Sequence, residues 1–276
     1  MMRLPAALSV GLLLVACTSS ARPSPSGGAA ASPPLALATS AREVAIERVV
    51  AAEAPQRPDQ PILDAAFRIA LVGDYCVDRD LPAPPAVDPA LTVLDRSYAL
   101  DPGYAPSDLV AASAAGFSDG SGSKLVRSVV VDDLAALAAA SRAEGLALGI
   151  ESAYRSYASQ AATLQVWTAR LGPAAALLRT ARPGHSEHQL GTAIDFTSPG
   201  WAGRVGDWAV ESLEGAWMAE HAWEYGFVMS YPSGAEGDTC FGYEPWHYRW
   251  VGRDAAAEQR AAGVPLRDFL ERYAVP

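Results

Sequence analysis

The sequence predicts an α+β fold, with a central, mainly antiparallel sheet flanked by helices. Three observations predict it. Segments with helical spacing are isolated from one another, short strand-like apolar runs fall between them, and the strand–helix–strand rhythm of a parallel sheet is missing. Half of the 276 residues are apolar and 19% are charged, which suits a globular core, and the length allows one large domain or a domain with a smaller attachment.

In chain order, residues 1–17 read as an export signal. Arg3 gives a positive start, and Leu4 to Ala16 is an apolar run too short to cross a bilayer. Leu14-Val15-Ala16-Cys17 resembles a bacterial lipobox, in which the cysteine is acylated and becomes the first residue of the mature chain. An ordinary secretory signal, with Cys17 falling by chance near the cleavage point, is the alternative. Residues 18–61 are rich in Pro, Ser and Ala and cannot build a core, so they read as a disordered tether. The expectation is an exported protein, lipid-anchored on the outer face of the bacterial cell membrane. With Cys17 set aside, Cys76 and Cys240 remain as an even pair, and an oxidising compartment favours a disulfide between them over two separately buried thiols.

Residues 62–125 are mixed in character, with a Pro-rich loop at 81–89 and a turn at Asp101-Pro102-Gly103, and read as a segment covering the main domain at 126–276. Within that domain Val131 to Glu144 carries Leu134, Leu137 and Ala138 at helical spacing and ends at Gly145. Leu146 to Ser152 reads as a buried strand. Ser156 is a candidate N-cap for a helix running to Leu171, stopped by Gly172-Pro173. Ala193 to Phe196 is strand-like, with Ala193 and Asp195 on one face and Ile194 and Phe196 on the other. Glu211 to Tyr225 reads as one helix with Leu213, Trp217 and His221 on a single stripe, and strands follow at 227–231 and 246–251.

The net charge of −10, with no basic run, argues against nucleic acid as a partner. The chemistry concentrates elsewhere. His188 and Asp195 stand seven residues apart across a Gly191 turn, and His247 comes from a second strand. Two imidazoles and one carboxylate suit a zinc ion that keeps a position open for water. Glu244 precedes His247 by three residues, a spacing that a regular strand would aim to opposite faces. Pro245 disfavours a regular strand there, and a bend would let Glu244 reach that water as general base.

Ser186-x-His188-x-x-Gly191-x-x-x-Asp195 together with Glu244-x-Trp246-His247 resembles the D-alanyl-D-alanine carboxypeptidases of the LAS metallopeptidases. Ser152-Ala153-Tyr154-Arg155-Ser156 followed by Gln160, then Tyr225-Gly226-Phe227 and Ser230-Tyr231-Pro232, extend the similarity over roughly residues 94–251. The resemblance implies a LAS, hedgehog-like fold. It implies one zinc held by His188, Asp195 and His247, with Glu244 as the catalytic carboxylate. It also implies that Arg155 steadies the substrate carbonyl and its oxyanion, a role worth about 3–4 kcal/mol in comparable sites. Ser156, Gln160 and Ser186 are candidate substrate contacts. His185 reads as a loop residue near the pocket, and His221 as a core histidine with one hydrogen bond.

The activity so implied is a zinc-dependent D,D-carboxypeptidase that removes the terminal D-alanine of peptidoglycan stem peptides. An L,D-carboxypeptidase or endopeptidase of the same family is the nearest alternative. A non-catalytic peptidoglycan-binding lipoprotein is the alternative from another class. No His-Glu-x-x-His helix, P-loop or dinucleotide fingerprint occurs, and Gly184-x-Ser186 lacks the second glycine of a nucleophile elbow.

Overall fold

A computed structural model describes residues 76–86, 88–117, 123–202 and 207–274. The expected signal and tether, Cys17 among them, lie outside the described residues, as do residues 62–75. Two small ribbons begin the fold. Strand β1 (Leu81–Pro82) pairs parallel with β2 (Tyr98–Ala99), and β3 (Leu109–Ala111) pairs antiparallel with β4 (Leu125–Arg127). Helix α1 (Val131–Ala143) follows, its first turn carrying Asp132 and Asp133 where the helix dipole favours negative charge. Gly145, at φ +77°, turns the chain out of it.

The central sheet has four strands in the order β5 (Gly149–Ser152), β6 (Ala193–Thr197), β8 (His247–Trp250), β7 (Phe227–Met229), and every neighbouring pair is antiparallel. Helix α2 (Tyr157–Leu171) follows β5. The Ser156 hydroxyl caps it by accepting from the Ser159 N–H at 3.2 Å, and Gly172 ends it. Helix α3 (Leu213–His221) leads into β7, and α4 (Arg253–Ala262) and α5 (Leu266–Leu270) close the chain.

The period of two along β6 and β8 separates core from site. Ile194 and Phe196, with Tyr248, Trp250 and Phe227, pack on Leu134, Leu137 and Met218 in the main core. Asp195 and His247 point the other way, and the β6–β8 register sets them directly opposite each other. A second cluster joins Leu91 and Val93 to Val228, Val251, Leu266 and Phe269. The described part of the covering segment is therefore built into the same body as the sheet.

The single helix expected from Glu211 to Tyr225 is broken. Trp208–Glu211 forms one turn, Ser212 is extended at φ −135°, ψ 149°, and α3 starts after it, followed by a 3₁₀ turn at Ala222–Tyr225. Ser212 causes the break by serving both sides. Its hydroxyl donates to the Trp208 carbonyl at 2.8 Å and accepts from the Gly215 N–H at 2.9 Å. The rotation this imposes changes which side is buried. Gly215, Met218 and Ala222 face inward, and Leu213 is 77% exposed. His221 is not a core histidine either. It is partly exposed, within 3.0 Å of the Glu224 carboxylate and packed on the Trp217 ring.

Cys76 and Cys240 form a disulfide, with Cα atoms 5.3 Å apart across 164 residues of sequence. Closing so long a loop restricts the unfolded chain, an effect of about 2–5 kcal/mol. Reduction, or the paired change Cys76→Ser and Cys240→Ser, is expected to lower the melting temperature by roughly 10 °C. A melt unchanged by reductant, with thiol titration confirming that the bridge has opened, would refute this.

Candidate metal centre and active site

Three segments converge on one cleft beside the sheet. The chain from Glu187 to Leu190 forms a 3₁₀ turn that presents His188, and Gly191 ends it at φ +74°. A side chain at 191 would place its Cβ 2.9 Å from Arg127 Cγ, so both backbone and space require glycine there. Asp195 comes from β6 and His247 from the start of β8. Candidate ligand atoms of the three residues all lie within 4.8 Å of one another.

The hydrogen bonds decide which nitrogen of each imidazole faces the shared point. His188 Nδ1 lies 2.7 Å from the Ala153 carbonyl, which can only accept, so the ring proton is on Nδ1. Nε2 then carries a lone pair, is buried without a hydrogen-bond partner among the described residues, and faces Asp195 Oδ2 at 3.2 Å. His247 is held by Nε2, which donates to Glu187 Oε2 at 3.0 Å, leaving Nδ1 2.9 Å from Asp195 Oδ1. Both imidazoles thus turn a ring nitrogen toward the same carboxylate. Such an arrangement is repulsive unless a cation or a proton lies between, so the donor set fits a metal ion.

Electrostatics agree. Burial, helped by the Arg155 charge, lowers the His188 pKa to about 4, which keeps that ring neutral as a ligand must be. Burial disfavours charge on His247 too, but its hydrogen bonds to Asp195 and Glu187 prevail and raise it to about 10. A metal arriving there replaces a proton. Asp195 is held well below the ordinary carboxylate range; burial opposes this, and the two histidines outweigh it.

Glu244 occupies a bend. The His247 N–H donates to the Glu244 carbonyl at 3.1 Å, and the Glu244 N–H donates to Tyr231 at 3.0 Å. The bend around Pro245 brings Glu244 Oε2 to 3.9 Å from His247 Nδ1, so both side chains reach one cleft, as the spacing alone would not allow. Burial pushes the Glu244 pKa up to about 7, against the nearby His247 and with help from Asp195. A carboxyl group in that range is suited to accept and return a proton near neutrality.

Arg155 lies between β5 and α2, where its N–H donates to the His188 carbonyl at 3.2 Å. Its guanidinium is clamped by Ser152 Oγ at 2.8 Å and Gln160 Oε1 at 3.0 Å, with Asp195 Oδ2 at 3.4 Å. Gln160 is fully buried, and its amide donates to Thr180 Oγ1 and the Ala181 carbonyl. It steadies Arg155 and does not line the cleft. Ser156 is likewise the cap of α2 and stands outside the cleft. Ser186 does line it, with Arg155, His188, Asp195, Glu244 and His247, around a cavity of about 130 Å³.

Sequence reasoning passed over Glu187. Its Oε2 accepts from His247 Nε2 and from Ser230 Oγ at 2.6 Å, and its Oε1 from Arg249 at 2.9 Å. Arg249 is completely buried and also donates to the carbonyls of Ala90 and Thr92, tying the N-terminal segment through Glu187 to His247. Despite burial, the Arg249 charge and the His247 hydrogen bond hold the Glu187 pKa down at about 2. The available signal was position: Glu187 sits inside the Ser186–His188 motif, and Arg249 is two residues after His247 on the same strand face. His185, also buried, is held by the Asp95 carbonyl at 2.7 Å and Asp80 at 3.0 Å.

Comparison with known proteins places these residues in a wider group. Residues 123–253 match the family model for VanY D-alanyl-D-alanine carboxypeptidase. The chain is 32% identical over 183 residues to the carboxypeptidase-like protein YodJ of Bacillus subtilis (strain 168), covering 66% of this chain and 67% of that one. Among solved structures, the LdcB LD-carboxypeptidase superposes with a TM-score of 0.60 at 32% identity, covering 67% of this chain and 86% of that one. A vancomycin-resistance D,D-pentapeptidase VanY, solved with Zn(II), superposes with a TM-score of 0.55 at 28% identity, covering 66% and 99%.

Proposed function

The chain belongs to the VanY D-alanyl-D-alanine carboxypeptidase family, and from that premise we propose that it is a zinc-dependent D,D-carboxypeptidase acting on peptidoglycan stem peptides. The observation that carries this reading is the convergence of His188 Nε2, His247 Nδ1 and the Asp195 carboxylate beside Glu244. His188 Nε2, Asp195 and His247 Nδ1 hold one zinc per chain. Bound there, the ion supplies Lewis acidity, acidifying water and polarising the scissile carbonyl.

The protein's own groups do the rest. Glu244 takes a proton from the attacking water as its oxygen bonds to the carbonyl carbon. It then gives that proton to the amide nitrogen as the C–N bond breaks, releasing D-alanine. Arg155, fixed on three sides, meets the negative charge that grows on the carbonyl oxygen. A guanidinium already held in place loses little freedom as that charge develops.

The second reading, an L,D-carboxypeptidase acting on tetrapeptide stems, is favoured by the similarity to LdcB. Mass spectrometry of products from purified tetra- and pentapeptide stems decides between them. The expected result is loss of one D-alanine from the pentapeptide, abolished by chelator and restored by zinc. Cleavage of the tetrapeptide alone would favour the second reading, and chelator-resistant cleavage would overturn the metal.

The anchor belongs to the same proposal. Leu14-Val15-Ala16-Cys17 at the end of an apolar run supports export and acylation at Cys17, with residues 18–61 as tether. Labelled palmitate is expected to enter the wild-type chain and not Cys17→Ser, which should leave the membrane fraction. Equal labelling of both would refute it.

A further inference from the structure

The outer strand of the central sheet has a free edge inside a groove. Strand β7 pairs with β8 on one side and, among the described residues, has no neighbour on the other. The Val251 N–H donates to the Gly226 carbonyl, and the Ser230 N–H donates to that of His247. With Val228 opposite Arg249, residues 226, 228 and 230 turn their backbone polar groups toward β8, and Phe227 and Met229 turn theirs away. Among the described residues no hydrogen bond reaches those outward groups, although Phe227 is fully buried. Buried backbone groups are nearly always paired, so this edge calls for a partner. Along it runs a cavity of about 350 Å³, lined by Met218 of α3, by Arg260 and Gly263 from the end of α4, and by Trp223 and Pro232. The groove shares no lining residue with the metal cleft.

The chain itself carries a segment of matching chemistry. Shortly before Cys76, outside the described residues, Phe67-Arg68-Ile69-Ala70-Leu71-Val72 is apolar but for Arg68 and holds two β-branched residues. As a strand it sets Phe67, Ile69 and Leu71 on one face. Its reach is fixed by the disulfide, because the described chain starts at Cys76, bonded to Cys240. Next to Cys240, the Phe241 ring packs on that of Tyr231, the neighbour of Pro232, with centroids 5.0 Å apart. Cys76 is thereby held within roughly 20 Å of Pro232, a distance that the six residues back to Ala70 span when extended. We propose that residues 67–72 lie in this groove as a fifth strand, hydrogen-bonded to the outward groups of Phe227 and Met229. Main-chain bonds complete the edge, and alternate apolar side chains fill the groove, as when a peptide adds to an open sheet. Apolar side chains that water would otherwise meet are covered in the same step.

Amide hydrogen exchange of the full chain, read residue by residue by fragmentation mass spectrometry, tests this. In the wild type Phe227 and Met229 are expected to exchange within about 10-fold of Val228, which is bonded to β8, and protection along 67–72 should alternate with a period of two. Fast exchange at Phe227 and Met229, or uniformly fast exchange over 67–72, overturns the proposal. Two single changes then separate strand pairing from apolar contact alone. Successive N–H groups of a strand point to opposite sides, so only one of Ile69→Pro and Ala70→Pro removes a donor to β7. That one is expected to speed exchange at Phe227 and Met229 about 10- to 100-fold and the other by less than about 3-fold, with Val228 unchanged in both because the body stays folded. Equal effects from the two overturn strand pairing. Should a proline also expose Val228, the wild-type alternation alone decides. Sedimentation over a range of concentrations identifies the donor. A monomer that keeps its protection on dilution is expected, whereas protection lost on dilution assigns the strand to a second copy and overturns pairing within the chain.

Discussion

Glu244→Gln is expected to reduce kcat by about 10³-fold or more while leaving zinc bound. The amide keeps the size and the bend at Pro245 but cannot accept a proton from water or return one to the leaving amine. Positioned acid–base groups contribute roughly 10²–10⁴-fold. Glu244 is also none of the three residues whose ligand atoms converge, so metal content should stay near wild type. Its pKa of about 7 adds a pH signature. A base is active when ionised, so wild-type activity in the metal-loaded enzyme should fall on the acid side of its apparent pKa, and the residual activity of the variant should lack that limb. Metal analysis, with kcat across the pH range, checks both parts. Normal turnover by a zinc-loaded Glu244→Gln protein would remove Glu244 from the mechanism.

Glu187→Gln should be the most damaging change among residues that never touch substrate. The carboxylate is the counter-ion of Arg249, whose side chain is 0% exposed, so removing the charge leaves a buried cation without compensation, at a cost of about 3–5 kcal/mol. The amide keeps one acceptor oxygen where the carboxylate had two, so His247 Nε2 and Arg249 compete for it and the imidazole is held less firmly, which should weaken zinc binding about 10-fold.

The pH dependence follows from the low folded pKa. Held at about 2 against an ordinary value of 4.5, the ionised Glu187 contributes roughly 3 kcal/mol above pH 4.5, and this is lost as pH falls toward 2. The stability gap between wild type and Glu187→Gln should therefore be wide at pH 7 and shrink at pH 3. Denaturant titrations with chelator present isolate the folding effect, and competition with a chromogenic chelator gives the metal affinity. Equal stability at pH 7 would mean that Arg249 is satisfied by the Ala90 and Thr92 carbonyls alone.

Local chemistry was legible wherever the chain itself sets the geometry. The N-cap at Ser156, the Gly191 turn and the alternation of Ala193 to Phe196 depend on residues a few positions apart, and each stands where the sequence puts it. The three converging residues and Glu244 were readable because each sits in a short motif rich in ligating side chains. The Glu211–Tyr225 segment misled for a related reason. Its apolar spacing is helical throughout, and only the packing of Trp208 and Gly215 gives the Ser212 hydroxyl two backbone partners at once.

The sequence by itself determined the α+β class, the histidine, aspartate and glutamate side chains that the fold gathers in one cleft, and the even pair of cysteines. Only the tertiary structure decided how they are supported. Gln160 became a brace for Arg155, and Glu187 joined His247 to an arginine that reaches back 157 residues to the Thr92 carbonyl. The physical reason is range. Turns, caps and strand alternation are fixed by neighbours along the chain, whereas the partner of a buried charge is whichever group folding brings beside it.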